Sequence, residues 1–452
     1  MNKAIQDQYT SQVSLTPIIN PFWSHPYLNI YTATVPDRMH HCDLGLFKYQ
    51  LTYTRKLLLL YGEQNILQKM DIRFGKILRY PGLHIFQHGL GNIKRFTASE
   101  YRDIMKVAIF CVDGLLKEID VNLDKQLTNL FVLWNNMYIL SREENPTELY
   151  IEEFKKSRID WAHEFIHLLQ QFSPSDLRLP KLHSWLYHID HTIREFGPLN
   201  GLCTETYESL HKYYVKASYR RSNKRNINSQ LLKNIRYHYI LTTMHNNNTT
   251  NNSQDQSSNI TFRKKIYQFD LKDITTFIQQ FHSNDKVYSD ELKLGMYHLK
   301  DCLDLWLNEI SKLLNINTEF ETLSIIIEIY NAVKLTNGDW VRATEKFNNQ
   351  KEYSNVAIQW KISSEIELVF GQIKHMVFYL ALVHLYDYKY QTENKFLKFG
   401  CPYIKFINEF YIVPIEVLIE TVHIVQRFDH NNAYFVNRYI SWFINMQFYI
   451  KK

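Results

Sequence analysis

From Leu44 to about residue 245 apolar side chains return every three or four positions, with few interruptions. That period sets them on one face of successive α-helices. Little in the chain would break such helices, since 452 residues contain only 13 glycines and 11 prolines. Long helices with few tight turns are therefore expected, and glycine-rich phosphate loops are not. "GLFKYQLTYTRKLLLLYG" should close at Gly62, and "TASEYRDIMKVAIFCVDGLLKEI" should open on a Thr97 or Ser99 cap. "LTNLFVLWNNMYILSREEN" should stop before Pro146.

The flanks read differently. Residues 1 to about 35 are irregular and rich in proline and aromatics, with "LNIYTATV" patterned as a short strand. "HNNNTTNNSQDQSSN", His245 to Asn259, has no apolar residue to offset its ordering entropy and reads as a flexible linker. Helices are expected again over roughly 268 to 335. After them, "IELVFGQIKHMVFYLALVHLYDYKY" and "FYIVPIEVLIETVHIVQRF" are β-branched and aromatic, broken by Gly400, Pro402 and Pro414, as in a small β-rich module. The fold class expected is α+β, mainly α-helical, without internal repeats.

Five scattered cysteines, an odd number, argue against a disulfide framework and for a reducing, intracellular compartment. The apolar runs "KLLLLY" and "LSIIIEIY" fall short of the roughly 20 residues that span a bilayer, so no membrane partner is expected. Net charge is a mild +6, but its distribution is uneven. From Ser209 to Gln254 there is no Asp or Glu, while Lys212, Lys216, Arg220, Arg221, Lys224, Arg225, Lys233 and Arg236 all fall there.

Three motifs carry candidate chemistry. "PDRMHHCD" gathers Asp37, His40, His41, Cys42 and Asp43, all able to ligate a metal. The same residues also suit a helix start in which Asp37 caps the free amides while Met39, Leu44 and Phe47 turn inward. "HEFIH" sets His163 and His167 one helical turn apart around Glu164, the spacing of a zinc peptidase, with Asp190 or Glu195 as the candidate third ligand. Its continuation departs from the longer zinc motif, with Gln170 and Ser173 where Gly and His are needed. An ordinary amphipathic helix burying Trp161, Phe165, Leu168 and Phe172 explains the same residues. "TETYESLHKYYVKASYRRSNKR" places carboxylates just before a basic run interleaved with Tyr213, Tyr214 and Tyr219, which suits phosphate neutralisation and base stacking as well as a solvated helix.

"NPFWSHPYLNIYTATVPDRMHHCDLGLFKYQL", "GLGNIKRFTASEYRDIMKV" and "LPKLHSWLYHIDHTIREFGPLNGLCTETYESLHKYYVKASYRRSNKR" together resemble the Plavaka-type DNA transposases, allied to the CACTA/EnSpm superfamily. "LALVHLYDYKY" and "IETVHIVQRFDHNNAYFVNRYI" are similar to the β-rich segment that ends many of them. The resemblance implies an RNase H-like catalytic domain with a DDE triad and two Mg2+ or Mn2+ ions, about 3.5 to 4 Å apart, that activate the attacking oxygen and stabilise the leaving one. It implies that Asp37 and His40 form the family's D-x-x-H element and that Glu208, ahead of Glu205, is the final carboxylate and metal ligand. Lys212, Lys216, Arg220, Arg221, Lys224 and Arg225 would then lie along DNA.

The family's two catalytic aspartates precede its Pro-Phe-Trp segment, here Pro21-Phe22-Trp23, and before it this chain offers Asp7 alone. The expectation is therefore an incomplete RNase H-like remnant over 1–60, with a vestigial site that holds no metal tightly. A helical insertion over 61–180 should follow, then a segment over 181–245 carrying Glu208 and the basic helix, a linker over 246–262, and a helical plus β-rich module over 263–452. DNA, a second copy or an intact transposase would be the partners, and the nucleus the location, with "RRSNKR" as an import signal. A protein-interaction module without a nucleic-acid role is the alternative function, and a zinc metallopeptidase the second alternative.

Overall fold

A computed structural model describes residues 21–250, 260–283, 290–314, 325–347, 350–362, 365–377, 379–388 and 399–440. The protein is α+β, about 54% helix and 21% strand, with a sheet module in its carboxyl-terminal part. Asp7 and residues 251–259 of the expected linker lie outside the described residues. The chain divides into two compact units, one of Met1–Tyr53 with Asn136–Leu210 and one of Thr54–Asn135 with His211–Lys452. The helical span expected as one insertion over 61–180 is thus shared between them.

In the first unit, "LNIYTATV" is not a strand. Ile30–Ala33 forms a single helical turn because the Asn29 side chain accepts the amides of Tyr31 and Thr32. A π-helical stretch, Met39–Leu46, follows and runs directly into helix Phe47–Gly75. The buried stripe of helix Glu148–Leu169 packs here through Ile151, Phe154, Arg158, Trp161, Phe165 and Leu168. Trp161 donates its indole N–H to the Gln50 side-chain carbonyl, 2.8 Å away, so the buried indole N–H is satisfied. Arg158 is also buried, donating to the Trp185 and Leu186 carbonyls and to Asp190. These bonds hold the short helices Pro180–Tyr187 and Ile189–Phe196 against it.

The second unit corrects three expectations. Helix Phe47–Gly75 does not stop at Gly62, because the apolar register resumes with Leu67, Met70 and Phe74 and their burial outweighs the roughly 1 kcal/mol that an internal glycine costs. Helix Ala98–Val112 opens at Thr97, which forms a reciprocal capping box with Glu100. Among the described residues of 268–335 only Ile274–Ser283 and Asp290–Leu314 are α-helical, while the β-branched run "IIEIY" is a strand whose alternate residues are buried. Part of the expected linker is also ordered, since helix Ile227–Thr250 continues through its first residues.

The sheet module contains thirteen described strands: β1 (Thr261–Phe262), β2 (Lys265–Asp270), β3 (Ile326–Tyr330), β4 (Ala332–Lys334), β5 (Trp340–Phe347), β6 (Gln350–Tyr353), β7 (Asn355–Ile362), β8 (Glu365–Val377), β9 (Leu380–Tyr388), β10 (Tyr403–Pro414), β11 (Leu418–Thr421), β12 (Ile424–Gln426) and β13 (Tyr434–Val436). All pairings are antiparallel. The larger sheet runs β11-β7-β8-β9-β10-β13-β12, with β3 also on β8 and β2 on β3, and a smaller one runs β1-β4-β5-β6. Helices Ile274–Ser283 and Asp290–Leu314 cover part of one face, with Phe281, Met296, Leu299 and Leu303 against Ile329, Leu382 and Ile412. Within the same unit the loop after helix Phe47–Gly75 is tied to this module. Tyr80 donates to the Thr421 carbonyl, and buried His423 donates through Nε2 to the Leu78 carbonyl at 3.0 Å.

Candidate functional site

The turn "VPDRMHH" enters its helix as a capped start. The Asp37 carbonyl accepts the first helical bond from the His41 amide, while its carboxylate accepts the Met39 amide at 3.2 Å and the His40 amide at 3.3 Å. Thr204, 167 positions away, donates its amide at 3.1 Å and its hydroxyl at 2.8 Å to the same carboxylate. His40 Nδ1 completes the set on Oδ2. Burial acts to raise the Asp37 carboxyl, but the bonds from His40 and Thr204 outweigh it and hold the group below its ordinary value.

The other ring nitrogen of His40, Nε2, lies 3.4 Å from Glu208 Oε1. Asp37, His40 and Glu208 therefore stand in a row, with the imidazole between two carboxylates. Exposure rises along it, from 13% of the side chain at Asp37 to 43% at His40 and 59% at Glu208. Glu208 is carried by the short helix Glu205–Leu210, which starts just after the Thr204 tether. Of the two carboxylates that the sequence offered, Glu208 is the one that reaches His40 Nε2.

The neighbours of this row lock the turn. His41 donates from Nδ1 to the Asp37 carbonyl at 3.0 Å, so that nitrogen carries a proton, and meets the Ser184 hydroxyl at 2.9 Å through Nε2. Burial lowers the His41 pKa, against the bond to the Asp37 carbonyl, which raises it. Lys181 donates to the His40 carbonyl at 2.8 Å. Its side chain lies over Gly45, where an added Cβ would sit 2.6 Å from that carbonyl and 2.8 Å from Lys181 Cδ. Arg38 is buried, donating to the Ser141 carbonyl and to Asn200, which in turn donates to the Arg142 carbonyl. Thr204, Ser184, Lys181 and Asn200 are thus part of the site, and nothing in their local sequence marks them.

A two-metal centre needs carboxylate lone pairs left for the ions. A carboxylate offers about four acceptor positions. Those of Asp37 meet five donors: the amides of Met39, His40 and Thr204, the Thr204 hydroxyl and the His40 ring. Glu208 lies across the imidazole and not beside Asp37. The residues present therefore do not fit a pair of divalent ions. Cys42 is fully buried, and burial pushes its thiol well above the ordinary value. Asp43 is buried as well.

The "HEFIH" residues fall on helix Glu148–Leu169, where Trp161, Phe165 and Leu168 are buried, Phe172 beyond its end is half-buried, and His163 and His167 face solvent. Asp190, one candidate third ligand, is bound to Arg158, and Glu195 is exposed. Among the described residues no group of three or more His, Cys, Asp or Glu side chains is spaced to hold a metal ion.

In the second unit the basic run forms a π-helical segment, His211–Ala217, and helix Ser218–Arg221. A turn then leads into helix Ile227–Thr250. Lys212, Lys216, Arg220, Lys224, Arg225, Lys233 and Arg236 are exposed, as are Tyr219 and Tyr237. The side chains of Tyr213 and Arg221 lie outside the described residues. Gln230 holds the turn by bonding the Asn223 side chain and the Arg225 carbonyl, which fixes where Lys224 and Arg225 are presented. Among the described residues no helix is long and apolar enough to cross a membrane. Comparison with protein-family models, curated proteins and solved structures finds no match.

Proposed function

We propose that this chain is a DNA-binding protein derived from a DDE-type transposase of the Plavaka kind. In this reading the RNase H-like corner persists as a structural joint, without the two-metal centre, and the protein acts in the nucleus. The descent is supported by the meeting of Asp37 and His40 with Glu208 across 171 positions, the association that the resemblance assigns to the end of the catalytic fold.

The observation that carries the binding role is the basic run itself. Over Ser209 to Gln254 no carboxylate offsets its cations, and seven of them are exposed. Such a stretch gains affinity for a polyanion by releasing condensed counterions, and exposed tyrosines beside it add stacking surface. The spent acceptors of Asp37 support binding without cleavage.

The experiment is a gel-shift series on duplex DNA across salt concentrations, with wild type and a variant carrying Arg220, Arg221, Lys224 and Arg225 as Ala. Affinity should fall linearly with salt on logarithmic axes. The variant's slope should be shallower by up to about 0.9 for each phosphate contact removed. No salt-dependent association, or an unchanged slope in the variant, would overturn the reading.

A further inference from the structure

The antiparallel pairing of β9 and β10 is interrupted between Phe406 and Phe410, where β10 spends extra residues against β9. His384 fixes this bulge. Its ring is sandwiched between Phe406 and Phe410, at 4.3 and 4.2 Å, and its Nε2 bonds the Ile407 carbonyl at 2.7 Å. Beside the bulge lies a cleft of about 240 Å³ whose lining includes the apolar and aromatic Trp360, Tyr411, Leu385 and Ile407 and the carboxylates Asp387 and Glu409.

The chemistry of this cleft is selective. Trp360 and Tyr411 meet nearly perpendicular, at 81° with ring centroids 5.2 Å apart, so a guest seated in the corner beside the pair contacts two π systems. Tyr411 donates its hydroxyl to Glu409 at 3.2 Å, which holds that carboxylate beside the rings. Among the described residues no Lys or Arg lines the cleft. Lys405 stands opposite Asp387 in the strand register, but among the described residues it forms no ion pair with it. Aromatic faces and carboxylates together demand a cation. The apolar lining and small volume favour one with a greasy, weakly hydrated surface over a compact, strongly hydrated ammonium.

We propose that the bulge cleft binds the alkylammonium head of a methylated lysine side chain on a partner protein. Trp360 and Tyr411 contact the methyl groups, Leu385 and Ile407 contact the aliphatic stem, and Glu409 and Asp387 supply the countercharge. This role uses residues separate from the basic run and does not depend on DNA binding.

The test is calorimetric titration of the full chain with three probes: Nα-acetyl-Nε-trimethyllysine amide, the unmethylated lysine amide, and the neutral isostere in which carbon replaces the ammonium nitrogen. Trimethyllysine should bind saturably, and the other two about tenfold more weakly or worse. Glu409→Gln, at an exposed position, should weaken trimethyllysine about fivefold while leaving the circular dichroism spectrum unchanged, and Asp387→Asn should act in the same direction. Absence of saturable binding, equal binding of the neutral isostere or of unmethylated lysine, or unaltered binding in both carboxylate variants would each overturn the proposal.

Discussion

Replacing Asp37 by Ala tests whether the turn is a structural joint. The substitution removes a helix cap, costing about 1 kcal/mol, and strips partners from the Thr204 amide, the Thr204 hydroxyl and the His40 ring. At roughly 1 kcal/mol per lost bond, and with overlap among bonds that share one carboxylate, the cost is about 3 kcal/mol. Asp37→Asn keeps one acceptor oxygen and turns the other position into a donor facing donors, so about half that loss is expected. A chain of two units need not unfold in one step, so the readout is local amide exchange over residues 37–46 and 204–208.

Exchange there should quicken about 150-fold in Asp37→Ala. The dependence on pH has a defined sign. Because the folded carboxyl is held below its unfolded value, its contribution is fully present above the ordinary carboxylate range and fades as pH falls through it. A change of less than about fivefold in Asp37→Ala would refute the joint, since that is under 1 kcal/mol. Marked protection of both segments by millimolar Mg2+ in the wild type would refute the claim that the acceptors of Asp37 are already spent.

Two further outcomes concern the second unit. Gly295→Ala should destabilise by about 1 to 3 kcal/mol despite the roughly 1 kcal/mol gain in helix propensity. The new Cβ would lie 2.8 Å from His375 Nε2 and 2.9 Å from Lys374 Cβ, both buried, and thermal melts should show a smaller loss in a His375→Ala background, where only the Lys374 contact remains. His423, whose pKa burial lowers to about 4 against the bond to Leu78, should make the Leu78–Thr421 junction acid-labile. Its contribution is full above the unfolded value of about 6.5 and is lost as pH falls toward 4, by up to about 3 kcal/mol. Exchange over 78–80 and 421–437 that stays flat from pH 7 to pH 4.5, after correction for intrinsic rates, would contradict this.

The sequence by itself determined the features that depend on neighbours along the chain. Helical periodicity from Leu44, the Thr97 cap, the β character of the carboxyl-terminal part and the acid-free basic run are all local, because each reflects repeat, capping or composition within a few turns. The same local reading offered two roles for Asp37, a cap or a ligand, and favoured the cap, while the resemblance assigned it to the catalytic element. The choice between them rested on Thr204 and the orientation of the His40 ring, which are supplied by packing across more than 160 residues. Local cues also misplaced Gly62 as a stop and "LNIYTATV" as a strand, since tertiary burial outweighs one glycine and a single asparagine cap outweighs β propensity. The bulge cleft was wholly a tertiary product. Trp360, Asp387 and Tyr411 lie on three strands, and only the antiparallel register and the extra residues of β10 bring two aromatic rings and two carboxylates to one place.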